Sequence, residues 1–140
     1  MKFENYHRMR FDYEGRVLTV TIEGNSVNAV DAAMHEDLAR VFADLQKDPD
    51  SDIIVLTGRG RAFCAGGDFD WFQEQINEPR KFRDIGHEAK RIVFSLLDLE
   101  KPIICRMNGA AAGLGATVAL LCDVIVAEGK NQFGFGCIGM

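Results

Sequence analysis

The chain of 140 residues is poor in the residues that build metal centres: it has three histidines and four cysteines, and no two cysteines stand in a C-x-x-C spacing. Structural zinc needs such clusters, so no metal is expected. Cys64, Cys105, Cys122 and Cys137 are instead read as reduced thiols of a cytoplasmic protein. There is no block of Lys and Arg, and the net charge is −5, which argues against nucleic acid as a partner. No basic start leads into a long apolar run, so no signal peptide is expected. The apolar runs are also far too short to span a bilayer, so no membrane partner is expected either. What is present is ordinary for a globular protein, 47% apolar and 26% charged residues, and residues 1–140 are read as one domain with a core.

Strands and helices alternate along the chain. Residues 16–22 (RVLTVTI) alternate and are β-branched, which predicts a strand. Asp31 is placed to cap a helix running to about Lys47, with Met34, Leu38, Val41, Phe42 and Leu45 at helical spacing. Residues 53–57 (IIVLT) predict a short buried strand. The polar stretch 73–80, with Asn77 and Pro79, is read as a loop. Residues 82–99 predict a helix whose apolar face carries Ile85, Ala89, Ile92, Val93, Leu96 and Leu97. Strands at 103–107 and 124–127 enclose a helix at 113–121, and 132–135 follows a turn. The fold class is therefore α/β.

Two glycine-rich segments carry the chemistry. One is Arg61-Ala62-Phe63-Cys64-Ala65-Gly66-Gly67-Asp68; the other runs from Asn108-Gly109 through Gly113-Leu114-Gly115-Ala116. Each follows an apolar strand and leads into a helix, so each offers unpaired backbone N–H groups. Two such groups aimed at one point form an oxyanion hole for a thioester carbonyl. Gly109, Gly113 and Gly115 also fit the G-x-x-x-G-x-G of short-chain dehydrogenases. That fold opens with its motif, however, and needs an acidic residue about 20 positions on. Here the motif lies late in the chain and residues 131–135 hold no acid. A third reading is that these glycines only permit close helix–strand packing.

Taken together, Asn28-Ala29, the strand before Arg61–Asp68, Lys101-Pro102, the run from Asn108-Gly109 to Cys122-Asp123, and Gln132-Phe133-Gly134 resemble the crotonase (enoyl-CoA hydratase/isomerase) superfamily over nearly the whole chain. The resemblance implies a spiral of ββα units, a homotrimer or hexamer, and an acyl-CoA substrate of fatty acid metabolism. Coenzyme A would be part of that substrate, with no separate cofactor. It implies that the backbone N–H groups of Gly67 and Leu114 stabilise an enolate, with Gly113 and Gly115 flanking the second donor. The carbonyls of Ala62 and Ala65 would accept from the adenine. Ser26, Gly66, Asp68 and Gly113 would line the coenzyme A site, and Arg61 would meet a phosphate.

The chain departs from the pattern at both glutamates that hydratases of the family use. Thr117 stands at the first position and Cys137 at the second. Asp68 and His87 are the remaining candidates for acid–base work. Asp68 also fits a cap of the turn, and His87 an exposed helix residue one turn from Lys90, which holds the register of a catalytic histidine in some relatives. The family continues past residue 140, and the tail after Phe133 lacks the usual proline. The expectation is a spiral core without the C-terminal helical trimerisation region, leaving apolar surface exposed. Three function classes remain: an isomerase- or lyase-type enzyme on acyl-CoA, an acyl-CoA-binding remnant without turnover, and a fragment with no function.

Overall fold

The computed structural model describes residues 3–127, 129, 133 and 134. The elements in chain order are β1 (Met9–Glu14), β2 (Val17–Ile22), α1 (Ala32–Lys47), β3 (Ile53–Gly58), β4 (Ala62–Cys64), α2 (Phe69–Asn77), α3 (Pro79–Leu97), β5 (Ile103–Met107), β6 (Ala110–Ala112), α4 (Leu114–Leu121), β7 (Val124–Ala127) and β8 (Phe133–Gly134). They form two sheets. The larger has the order β1-β2-β3-β5-β7 and the smaller β4-β6-β8. Apart from the β1–β2 hairpin, the pairings among the described residues are parallel.

The topology is that of a spiral. β3, β5 and β7 enter the large sheet in turn, and each is followed by a short strand, β4, β6 or β8, in the small sheet. Helices α2 and α3 follow the first of these pairs, and α4 follows the second. The ββα expectation is met. Because each turn of the spiral stacks on the one before, the ends of β4 and β6 lie side by side, with Cys64 opposite Ala111.

The helix α1 forms as its pattern predicts. Asp31 accepts from the Met34 N–H at 2.9 Å, and Met34, Leu38, Val41, Phe42 and Leu45 are all buried. α1 packs against α3 and also buries two polar residues, His35 against Glu88 of α3 and Asp37 under the backbone N–H groups of His7 and Arg8. Two expectations need correction. Residues 73–80 are no loop: α2 runs to Asn77, capped by Asp68, with Trp71 and Gln75 buried one turn apart. Pro79 then opens α3 at its first turn, where a missing N–H costs nothing. On α3 the buried residues are Ile92 and Leu96, whereas Leu97 is exposed. Strands β1, β4 and β6 were not evident in the sequence; the last two have three residues each, too short for a period-two pattern. No helix among the described residues is long and apolar enough to cross a membrane.

Candidate functional site

The first glycine turn leaves β4 at Cys64 and ends where Asp68 caps α2. Gly66 has φ +82°, a left-handed conformation, and a Cβ there would lie 2.8 Å from the Ala112 carbonyl oxygen. Only glycine meets both conditions. Val30 then brackets Gly67. Its N–H donates to the Gly66 carbonyl at 2.7 Å, and its carbonyl accepts from the Asp68 N–H at 2.8 Å. In extended backbone successive residues point to opposite sides, so the N–H of Gly67 is turned away from Val30. Among the described residues it donates to no protein acceptor.

The second turn repeats the device. Gly113 has φ +53° and ψ −123°, and Leu114 is the first residue of α4. A first-turn N–H has no partner inside its helix, and that of Leu114 donates to no acceptor among the described residues. Each candidate donor thus follows a glycine held at positive φ.

The two turns touch. A Cβ on Gly66 would also approach Gly113 Cα at 3.4 Å, and one on Gly115 would overlap the Cys64 backbone and lie 2.6 Å from Cys64 Cβ. The α4 N-terminus is pressed against the end of β4 with no room for a side chain. Its partial positive charge favours an anion at this spot.

Two side-chain amides, the buried Asn28 and the half-buried Asn108, hold the frame. Asn28, with φ +52°, donates from Nδ2 to the carbonyls of Arg59 and Ala62 at 2.9 Å, while its Oδ1 accepts from Gly24 N–H. Asn108 accepts from Gly58 N–H and donates to the carbonyls of Gly60 and Ala62. The Ala62 oxygen therefore receives two amide donors, which use both its lone pairs. It is engaged within the fold. Ala65 is exposed, and its N–H donates to Val27. Ser26 is exposed and lines an open cleft of about 270 Å³ with Gly24, Asn25, Arg59 and Gly60. Arg61 is exposed beside this cleft's turn. Sequence reasoning missed Arg59, since one arginine in a turn gives no signal of its own.

The acid–base candidates are spread apart. Asp68 lies next to Gly67, but its Oδ1 accepts from the Trp71 N–H at 3.1 Å as the α2 cap. The Thr117 hydroxyl donates to the Gly113 carbonyl at 3.1 Å, a local helix bond. His87 is exposed on α3. Cys137 lies outside the described residues. Cys64 is no thiolate: burial pushes its thiol up to about 11, and the Gly66 N–H that points at it does not offset this. The group that the sequence did not reveal is His35. It is buried on α1, with Nδ1 2.6 Å from Glu88 Oε2 on α3 and its ring 5.1 Å from Trp71.

A family model described as enoyl-CoA hydratase/isomerase matches residues 12–139. The chain is 34% identical over 125 residues to the 1,2-epoxyphenylacetyl-CoA isomerase of Escherichia coli (strain K12), covering 86% of this chain and 47% of that protein. It is also 34% identical over 131 residues to the short-chain-enoyl-CoA hydratase of Clostridium acetobutylicum, covering 91% of this chain and 49% of that one. Among solved structures, an enoyl-CoA hydratase/isomerase from Mycobacterium paratuberculosis superposes with TM-score 0.87 at 28% identity, over 90% of this chain and 51% of that one. The chain thus spans about half the length of the relatives it matches. Matched over almost all of its residues by the family model, and built as a spiral with two touching glycine turns, the chain belongs to the enoyl-CoA hydratase/isomerase family.

Proposed function

We propose that this chain binds an acyl-CoA thioester with the carbonyl oxygen between the N–H groups of Gly67 and Leu114, where an enolate or tetrahedral oxyanion is stabilised. The observation that carries this reading is the pair of unpartnered N–H groups, each behind a positive-φ glycine, at turns in van der Waals contact. Donors fixed in this way need no reorganisation when charge develops, and each is worth roughly 3–4 kcal/mol in measured oxyanion holes. The relatives, an epoxyphenylacetyl-CoA isomerase and an enoyl-CoA hydratase, support the same chemistry.

Within this reading the cleft lined by Ser26, Asn25 and Arg59 takes the coenzyme A portion, which a cation and polar groups suit. Hydration would require a base and a proton donor on one substrate carbon. Thr117 is bound to its own helix and Asp68 to its cap, so the described residues supply binding and oxyanion stabilisation rather than a carboxylate pair. Isomerisation or another enolate reaction suits this set better than hydration does. The same observation favours a second reading, an acyl-CoA-binding protein without turnover.

Leu114→Pro tests the proposal. Proline is favoured at the first position of a helix, so it removes the donor while leaving α4 intact. In calorimetric titration with acetyl-CoA and crotonyl-CoA against free CoA, the wild type is expected to prefer the thioesters. Leu114→Pro is expected to lose that preference several-fold, about 1 kcal/mol for one hydrogen bond. Leu114→Ala, which keeps the N–H, should retain it. An unchanged preference in Leu114→Pro would overturn the assignment.

A further inference from the structure

We infer that His35, held by Glu88, is a positioning residue for the Gly67 donor. The inference rests on the functional reading above for its purpose, though not for its geometry. The Gly67 turn lies between the starts of two helices. On one side Val30 forms the bridge to Gly67 and Asp31 caps α1; on the other Asp68 caps α2. His35 is in the first turns of α1, its N–H bonded to the Asp31 carbonyl. Trp71 is in the first turn of α2, its N–H bonded to the Asp68 carboxylate. Their rings meet at 5.1 Å with a 46° tilt, so the two helix starts are joined a second time, beyond the backbone bridge.

A ring contact alone leaves the imidazole free to rotate. Glu88 removes that freedom: its Oε2 lies 2.6 Å from Nδ1 and holds the plane of the ring. The carboxylate reaches across from α3, so three helices converge on one imidazole. Phe72 meets Trp71 edge to face, with ring centroids 5.4 Å apart. A buried histidine whose only task was to fill space would be better replaced by an apolar residue, since burying polar atoms costs free energy. Here it orients the residue next to the turn that must be rigid for catalysis.

Hydrogen exchange on the full chain, without ligand, tests this. The Val30 and Asp68 amides form the bridge around Gly67, and both are expected to lose protection at least tenfold in His35→Leu. Amides of β2 and β3, such as Val20 and Leu56, should keep theirs. His35→Asn places an amide N–H close to where Nδ1 stood and is expected to restore the bridge. Glu88→Ala removes a partly exposed group and serves if His35→Leu does not fold; it should show the same local loss. Trp71 is the only tryptophan, so its emission should shift in both variants. Unchanged protection at Val30 and Asp68, or an equal loss at every amide, would overturn the inference. Because the exchange is read without acyl-CoA, a failure of thioester binding would sink the proposed function and leave this result standing.

Discussion

A methyl group at position 115 has nowhere to go, because a Cβ there would overlap the backbone oxygen of Cys64. At Gly60 the opposite holds: φ is +78°, but a Cβ would meet nothing within 4 Å. The two positions separate steric from conformational demand. Gly60→Ala is expected to cost about 1–2 kcal/mol, the usual cost of a left-handed side chain. Gly115→Ala must shift backbone and should cost more, about 3 kcal/mol or beyond, the upper range for overpacking. Urea denaturation of both variants checks the order; equal midpoints would mean that α4 can slide away from β4. The glycine spacing was legible in the sequence because glycines cluster where backbones approach. Which backbone each one meets was not, since Gly115 and Cys64 are brought together only by the spiral. The same is true of the two amides on Ala62, whose carbonyl the resemblance assigned to adenine.

At the scale of elements, α1 was readable because its apolar residues recur with a helical period and a capping aspartate precedes them. α2 was not, because its exposed face carries Phe69 and Ile76 while a buried position is Gln75. Its existence depends on the Asp68 cap and on packing against α3, and the packing has no local signature. The end of α1 shows how elements are joined. Asp48 accepts from the hydroxyls of Ser51 at 2.5 Å and Tyr13 at 3.0 Å, and its backbone carbonyl accepts from Lys101 Nζ. Burial opposes the charge on Asp48, yet hydrogen bonds, those from Ser51, Tyr13 and the Asp50 N–H among them, outweigh it and hold the carboxyl at about 2. A carboxyl lowered on folding stabilises the native state above its unfolded value. That stabilisation fades as the pH falls from roughly 4 toward about 2. Asp48→Asn is therefore expected to lose about 1.5–3 kcal/mol near neutral pH, the range for hydrogen bonds to a charged group. The gap to wild type should close on acidification. Urea melts across that range measure it, and a gap independent of pH would show that the charge is immaterial.

At the scale of the molecule, the described surface carries more exposed apolar side chains than a solvated one needs. Ile76 is 71% and Phe69 68% exposed on α2, and Phe82, Phe94 and Leu97 are exposed on α3. Val124 and Val126 alternate on the exposed face of β7, at the edge of the large sheet. An apolar edge strand invites pairing with another chain. Sedimentation velocity is expected to show association that grows with protein concentration and weakens in Val124→Lys/Val126→Lys. A single monomeric boundary at every concentration would contradict this.

The sequence by itself determined the alternation of strands and helices, the apolar face of α1 and the place of the two glycine turns. Each is written in local spacing, which one stretch of chain expresses without help from another. The tertiary structure decided what those stretches do to one another. Stacking of the ββα turns brings Gly66 against Gly113, sets Val30 across from Gly67, and buries His35 between Glu88 and Trp71. These partners lie tens of residues apart, and no periodicity links them. Contacts of that kind exist only once the sheets have closed.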